Sequence, residues 1–348
     1  MTTASAWKSR FLPLLASLLF SLLFTKYYFL LTHEHYEPAS SAKMAAFEAD
    51  KVFQKRVLPI LAAKGVSALT GLSLDHALKA WCVLTCIALL HGFHALLRET
   101  GSPNLHPALA YLLFIPVGWN YLALNSIYHA YDLPTLAFFC WGIVLFLRQR
   151  YAAFYLLYLL AGLNRESICF ITISLFALLL RLPERENGNA NRFHSAWRTN
   201  RVVLLHCLAQ TLLWFVNKAA LEHVFRHNPG SYYEETLSMT AFLQDAWNGH
   251  ESWPYLDAST FFGNPRCFLT LFAGIWLLLP CLWEHVPSPT KKLFWIAPPY
   301  LFAAAIHANL METRVYHELN VVLASSVAAG LHARTKPRLH KPSETNTA

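Results

Sequence analysis

The chain has 348 residues, of which 55% are hydrophobic and 14% are charged, and its formal net charge is +8. A soluble globular domain carries about 25% charged residues, so this composition excludes an ordinary soluble protein and predicts a polytopic, all-α membrane protein. The positive charge is explained by membrane topology and by contact with anionic lipid headgroups, and we expect no nucleic-acid partner.

Apolar runs recur along the whole sequence, and a transmembrane helix needs ~20 such residues. They lie at about 11–31, 77–97, 107–123, 132–147, 151–163, 167–181, 202–220, 267–284, 293–308 and 319–333. We therefore predict one transmembrane domain over residues 1–333, a helical bundle of about ten spans, followed by a disordered basic cytoplasmic tail at 334–348.

The Lys and Arg residues predict the orientation of the bundle. With both termini inside, the inner segments carry 16 of the 28 basic residues on the shorter set of connections, so the positive-inside rule favours an N-in/C-in topology. The two large loops, about 32–76 and 221–266, then lie outside. The sequence has no Asn-x-Ser/Thr glycosylation site, which is typical of a bacterial inner (cytoplasmic) membrane protein.

The first outer loop opens with alternating histidines and carboxylates. His33, His35 and Glu37 could bind a divalent metal, although no fourth ligand has a suitable spacing. Glu34 or Glu37 could instead act as a general base, or the segment could be a plain solvated loop. Further on, charged and apolar residues mix from Phe47 to Leu61, and this pattern predicts an amphipathic helix lying at the membrane interface.

Asp132 begins an apolar run and precedes Leu133-Pro134. The simplest explanation is a helix cap, because Asp is common at helix starts and Pro is favoured in the first turn. The second outer loop is rich in aromatic residues, including Trp247, Trp253 and Tyr255. These rings could stack on sugars or anchor the chain at the membrane surface.

A short charged cluster, Asn164 to Ser167, ends the run at 151–163. Ionised groups between apolar segments are costly unless they are paired, hydrated or bound to a ligand, so they mark a candidate functional site. Arg165 has a planar donor fork suited to phosphate or carboxylate. The alternative is an internal ion pair of Arg165 with Glu312 or Glu318, which would hold two hairpins together.

A second charged cluster precedes the last apolar run. In one continuous helix, Arg314 and Glu318 are four residues apart and share a face, whereas Glu312 points nearly the opposite way. One carboxylate could therefore pair locally while the other remains available to a partner elsewhere in the chain.

Four segments occur in the same order as the signatures of one group of membrane proteins. They are Phe53-Gln54-Lys55-Arg56-Val57-Leu58-Pro59, Tyr131-Asp132-Leu133-Pro134, Leu163-Asn164-Arg165-Glu166-Ser167 and Glu312-Thr313-Arg314-Val315-Tyr316-His317-Glu318-Leu319. Between about 47 and 333 the chain resembles a large, poorly characterised group of bacterial membrane proteins. That group is similar to the GT-C-type glycosyltransferases, which use polyprenyl-phosphate sugars.

The resemblance implies two kinds of functional residue. Basic residues near the membrane surface would hold the donor phosphate, and by motif position these are Arg56, Arg165 and Arg314. An acidic residue of the first outer loop would deprotonate the acceptor hydroxyl. Related proteins place an Asp soon after the first span, but this chain has no Asp before Asp50. Glu37 and Glu34 are therefore the predicted bases, and the supporting residues are Glu166, Glu312, Glu318 and Asp132.

The resulting hypothesis is a membrane glycosyltransferase that transfers a sugar from a polyprenyl-phosphate donor to an acceptor hydroxyl outside the cytoplasm. Its partners would be the lipid bilayer, the lipid-linked sugar and a glycan or glycolipid acceptor of the cell envelope. Two alternatives remain from the sequence. One is a transporter or flippase for a lipid-linked or anionic solute, and the other is a non-catalytic or polymerase-type component of polysaccharide assembly.

Overall fold

The computed structural model describes residues 3–32, 37–123, 128–181, 192–230, 271–307 and 313–335, except the side chains of 3–10, 192–199, 307, 313 and 314. The regular elements in these residues are all helical, and none is a β-strand. The prediction of an all-α fold is confirmed.

The α-helices of the described residues are numbered here in chain order. They are α1 (Thr3–Leu31), α2 (Ser41–Ala46), α3 (Lys51–Gln54), α4 (Leu58–Thr70), α5 (Leu74–Thr100), α6 (Phe114–Gly118), α7 (Asp132–Leu147), α8 (Tyr151–Asn164), α9 (Cys169–Leu179), α10 (Arg192–Val224), α11 (Leu279–Leu282), α12 (Ser288–Lys292), α13 (Ala297–His307) and α14 (His317–Thr335). Short 3₁₀ or π turns join several of them, at Glu37–Ala39, Pro107–Leu113, Trp119–Ala123, Glu166–Ile168, Leu271–Leu278, Trp283–His285, Leu293–Ile296 and Thr313–Tyr316.

Three helical segments of the described chain are long and apolar enough to cross a membrane: Phe11–Leu31, Leu74–Thr100 and Asn200–Val224. Their length and composition indicate a membrane protein. Other predicted spans are helical but shorter. With 16 and 14 residues, α7 and α8 are about 24 and 21 Å long at 1.5 Å per residue, less than the ~30 Å hydrocarbon core. The number of ten crossings is therefore not confirmed.

The helices differ in how deeply they are buried. In α14 every residue from His317 to Gly330 is buried, and α7 is buried along most of its length. The long segments of α1 and α10 are only 28% and 6% buried, and they present exposed leucines to the surroundings. Helices α7 and α14 thus form the centre of the bundle, and α1 and α10 have exposed apolar outer surfaces.

A tight hairpin brings the start of α7 beside the end of α8. The two helices are joined by residues 148–150, with Gln149 in the left-handed region at φ 58°. At the opposite end of the hairpin, the buried Asn164 amide donates to the Tyr131 carbonyl at 2.9 Å and to Thr135 Oγ1 at 2.8 Å. The ends that carry Asp132 and Arg165 therefore lie together.

The prediction of one amphipathic interfacial helix from Phe47 to Leu61 is wrong. Helix α2 ends at Phe47, whose φ is 63°, and the next residues form the separate helices α3 and α4. The buried Gln54 explains the break: its amide donates to the Met44 carbonyl at 3.2 Å, and its Oε1 accepts from the Ala49 N–H at 3.0 Å. These bonds fold the segment onto itself.

The residues that follow α10 pack on this loop. The Asn228 amide donates to the carbonyl oxygens of Phe47 and Ala49 at 2.9 and 2.8 Å. The Lys51 N–H donates to the Pro229 carbonyl at 2.9 Å. The beginning of the second predicted outer loop therefore contacts the first, whereas 231–266 lies outside the described residues. Residues 336–348 of the predicted tail also lie outside them, and α14 continues to Thr335.

Candidate functional site

The Asn164-Arg165-Glu166 cluster leaves α8 in an extended conformation, with φ −163° and ψ 146° at Arg165. Successive side chains of an extended backbone point in opposite directions, so the three residues reach different partners. Asn164 binds the start of α7, as described above. Arg165 also reaches α7 but makes a charged contact there, and Glu166 turns toward the first loop.

Arg165 forms a buried ion pair with Asp132. The distance from Arg165 Nη1 to Asp132 Oδ1 is 3.1 Å, and the side chains are 15% and 0% exposed. The start of α7 has Tyr131 at the N-cap and no side-chain cap hydrogen bond. The helix-cap explanation of Asp132 is therefore wrong, because its carboxylate accepts from a guanidinium that comes from another helix.

His317 and Glu318 extend this pair into the start of α14. A guanidinium has no acceptor, so His317 Nδ1, 3.4 Å from Arg165 Nη1, is the acceptor and the ring proton is on Nε2. That nitrogen lies 3.2 Å from Glu318 Oε2. The Tyr300 hydroxyl contacts the same carboxylate and lies 2.6 Å from the Val315 carbonyl. Together, five residues form a buried charge cluster: Asp132, Arg165, Tyr300, His317 and Glu318.

The structure corrects two predictions about this cluster. The ion-pair partner of Arg165 at bonding distance is Asp132, not Glu318, and Glu312 lies outside the described residues. The prediction that Arg314 and Glu318 share a helical face is also wrong, because Thr313–Tyr316 is a 3₁₀ helix and α14 starts only at His317. A 3₁₀ helix has 3.0 residues per turn, so the i, i+4 relation of one α-helix does not apply. The Arg314 side chain is outside the described residues.

Arg165 retains unused donors. A guanidinium carries five N–H groups, and the hydrogen bonds of Arg165 with described side chains are made through Nη1. The side chain is 15% exposed although its partner Asp132 is fully buried. Arg165 can therefore keep its structural ion pair and still donate toward an anion on its accessible side.

Glu166 belongs to a second network, which comprises Lys55, Glu166, Lys218 and Glu222. Lys55 Nζ is 3.0 Å from Glu166 and 4.0 Å from Glu222, and Lys218 Nζ is 3.8 Å from each carboxylate. Lys55 is only 2% exposed. A cavity of about 10 Å³ beside this network has room for about one water molecule. The two lysines and two glutamates of the network have no net charge together. Their ion pairs join the first loop to the end of α8 and to α10.

Arg56 and Arg165 converge on one aromatic ring. The guanidinium carbon of Arg56 is 4.3 Å from the centroid of the Tyr131 ring, and that of Arg165 is 5.8 Å from the same centroid. The two carbons are therefore no more than about 10 Å apart. The Tyr131 hydroxyl is 2.9 Å from His129 Nδ1, which holds the ring in place. Two predicted phosphate-binding residues from distant segments of the chain thus lie beside the same tyrosine ring.

Glu37, one of the two predicted bases, lies on the surface. Its carboxylate is 2.6 Å from Lys43 Nζ. The hydrogen bond and positive charge of Lys43 lower the pKa of Glu37, so this carboxylate is a weaker base while the pair is formed. Glu34, His33 and His35 lie outside the described residues, and both the base Glu34 and the metal site with Glu37 stay predictions.

Several residues of these networks were not predicted as site residues: Lys55, Lys218, Glu222, Tyr300 and His317. The i, i+4 spacing of Lys218 and Glu222 on one helix is a local signal that could have found them. Lys55 and Tyr300 have no such signal, since each contacts a carboxylate that another helix or turn brings to it.

Comparison of the chain with protein-family models gives no match, and comparison with curated proteins and with solved structures gives none either.

Proposed function

We propose that this protein is a membrane glycosyltransferase that uses a polyprenyl-phosphate-linked sugar on the extracytoplasmic side of a bacterial inner membrane. The observation that supports this best is the convergence of Arg56 and Arg165 on the Tyr131 ring. The order of the sequence motifs supports it as well, since both arginines belong to motifs of the glycosyltransferase-like group.

Two guanidinium groups at most about 10 Å apart can donate to one phosphate or to neighbouring phosphates of one lipid. Arginine is suited to this role because its planar fork binds phosphate oxygens in pairs. Asp132 pairs with Arg165, and the negative charge of Glu166 interacts with Arg56, so each arginine would attract the phosphate with only part of its charge. Arg314 is the third proposed phosphate ligand by motif position alone.

The proposed reaction is a single inverting displacement. Glu37 or Glu34 of the first loop takes the proton of an acceptor hydroxyl, whose oxygen attacks the anomeric carbon of the sugar. The bond from that carbon to the phosphate oxygen breaks, and the electron pair leaves with the lipid phosphate. The arginines stabilise this leaving group, and holding donor and acceptor together supplies proximity. For Glu37, the acceptor must first displace Lys43.

The orientation of the bundle is part of the proposal. Arg98, Arg148 and Arg150 lie at the end of the α5, α7 and α8 helices that is opposite to Asp132 and Arg165. Lys292 lies beside the last residues of α9, where its Nζ contacts the Leu178 carbonyl at 3.3 Å. Basic residues favour the cytoplasmic side, which supports an N-in/C-in bundle of about ten segments with the buried charge cluster toward the outside.

The test is binding of a polyprenyl phosphate to the purified full-length protein in detergent, with the matching uncharged polyprenol as reference. Arg56→Gln should weaken the phosphate form about tenfold, as expected for a lost charge-assisted contact, and should leave the polyprenol unchanged. Arg150→Gln, which removes an exposed arginine at the opposite end, is the matched control. Equal affinity of wild type and Arg56→Gln for the phosphate form would contradict the proposal.

A cellular experiment tests the reaction itself. Mass analysis of surface glycans and lipid-linked intermediates in a deletion strain should find an accumulating donor or a truncated acceptor. Complementation with Glu34→Gln/Glu37→Gln should fail although the variant is present in the membrane. Full restoration of the glycan profile by this double variant would remove both carboxylates as candidate bases.

One observation favours the non-catalytic alternative, namely that Arg165 already has a buried carboxylate partner. If Arg165 and Asp132 serve only to hold α7 to α8, replacing both with apolar residues keeps the cellular function. If Arg165 binds the donor phosphate, the same double variant folds but loses the glycan product.

A further inference from the structure

A second cavity lies away from the buried charge cluster. It has a volume of about 740 Å³ and is formed between α1, α5 and the 3₁₀ helix Pro107–Leu113. Of the described residues that line it, none is an Asp or a Glu. The polar side chains that line it are basic or neutral, and they include Ser17, His91, His94, Arg98 and His106.

The cavity lies beside the first half of α1, and the buried charge cluster lies near its last turns. Ser17 contacts His91 at the cavity, at 3.3 Å, whereas the Tyr28 hydroxyl accepts from the His129 N–H near Asp132 at 3.4 Å. Eleven residues of helix separate Ser17 from Tyr28, which corresponds to about 16 Å along the axis. A ligand of this cavity therefore does not contact Arg165.

Hydrogen bonds orient the three imidazoles. Ser17 Oγ donates to the Leu14 carbonyl at 2.9 Å, so His91 Nε2 donates to Ser17. His94 Nε2 donates to the Leu105 carbonyl at 3.2 Å. One nitrogen of each of these two rings is thereby occupied, and the other ring nitrogen, Nδ1, remains as a second polar atom at the cavity.

Arg98 and His106 supply the donors of the cavity. His106 Nδ1 accepts from the Ala108 N–H at 3.2 Å, so in the neutral ring the proton is on Nε2, which can donate. Arg98 is exposed, and within the described part of the chain it has no ion pair; the nearby Glu99 pairs with Arg148 at 2.7 Å. Among the residues that the structure describes, no carboxylate pairs with this permanent positive charge.

The remaining wall is apolar and continues onto the surface of α1. Leu12 and Leu14 line the cavity, and their side chains are 61% and 54% exposed. Because this surface belongs to a helix long enough to cross a membrane, it faces hydrocarbon. The site therefore combines a cationic polar end with a lipid-facing apolar side, which is the pattern of an amphiphile.

We propose that this cavity binds the phosphate headgroup of a membrane phospholipid. Arg98 and His106 donate to the phosphate oxygens, and the acyl chains lie along the exposed leucines of α1. This site is independent of the proposed glycosyl transfer. Its occupant is a lipid because the apolar wall offers acyl chains a contact that a free phosphate ion cannot make.

The test uses native mass spectrometry of the full-length protein in detergent, titrated with dioleoyl phosphatidic acid, dioleoyl phosphatidylcholine or inorganic phosphate. Wild type should bind one phosphatidic acid at least about tenfold more tightly than phosphatidylcholine. Arg98→Gln should lose most of this preference. Ala108→Trp should weaken both lipids, because Ala108 is an exposed residue that lines the cavity and an indole there takes up part of its space.

A control variant separates this site from other basic residues. Arg150→Gln removes a second exposed arginine from the same end of the bundle and should bind phosphatidic acid as wild type does. Equal loss in Arg98→Gln and Arg150→Gln would overturn the proposal, because the attraction would then be a general charge effect. Competition by inorganic phosphate at the concentration effective for phosphatidic acid would also overturn it.

Discussion

Removal of the Asp132 carboxylate should strongly destabilise the protein. The side chain is fully buried, and Arg165, whose Nη1 lies 3.1 Å away, is only 15% exposed. Removing one partner of a buried ion pair typically costs about 3–5 kcal/mol, because the other charge is left without compensation in a poorly solvated site. Glu318 and His317 lie nearby and absorb part of this loss, so we expect Asp132→Ala to cost about 3 kcal/mol, the lower end of that range.

The assay is reversible unfolding in mixed detergent micelles, followed by tryptophan fluorescence and by circular dichroism. Asp75→Ala is the matched control, since Asp75 and Lys79 form an ion pair of similar length at 2.6 Å whose side chains are 60% and 42% exposed. Exposed pairs contribute about 0–1 kcal/mol. The double variant Asp132→Leu/Arg165→Met should recover most of the stability, because two apolar residues replace both charges.

Two results would refute this reasoning. If Asp132→Ala costs no more than Asp75→Ala, the Asp132 carboxylate is solvated or compensated in solution and the pair is not an important structural contact. If the double variant is less stable than both single variants, Arg165 makes other contacts that matter more than its pairing with Asp132. The folded double variant is also the material with which the structural and phosphate-binding roles of Arg165 are separated.

Two further predictions concern hydrogen bonds of the loop and the hairpin. Lys43 lowers the pKa of Glu37, so this pair stabilises the fold above the ordinary glutamate pKa and loses its effect as the pH falls through the lowered value. Lys43→Met should raise the pKa of Glu37, measured by infrared titration of labelled glutamate. An unchanged titration would contradict the pairing. Asn164→Ala removes two buried hydrogen bonds and should lower the free energy of unfolding by about 1–3 kcal/mol. The control Asn217→Ala removes one exposed hydrogen bond and should lower it by less than about 1 kcal/mol. Equal losses would show that burial of Asn164 is unimportant.

The sequence was most informative where a property depends on neighbouring residues. Apolar runs predicted helices because burial of an uninterrupted hydrocarbon surface requires hydrogen bonds that the backbone makes locally. The described residues bear this out for α1, α5, α7, α8 and α10. The cost of isolated charges between such runs likewise identified Arg165 and Glu318 before any partner was known.

Predictions from helical periodicity or from the position of a residue were wrong where a buried side chain bonds outside its own helix. The 47–61 segment has the composition of one amphipathic helix, but Gln54 binds the backbone of Met44 and Ala49 and divides it. Asp132 has the sequence position of a cap, but Arg165 of the neighbouring helix takes its carboxylate. In both cases a buried polar side chain bonds a group outside its own helix.

By itself the sequence determined that this is a helical membrane protein and which charges require an explanation. Only the tertiary structure decided how those charges combine: Lys55 with Glu166 across 111 positions, and Arg56 and Arg165 at one Tyr131 ring. The physical reason is that a buried charge must be compensated within a few ångströms. Which residues come that close depends on how the helices pack, and no local pattern in the chain records it.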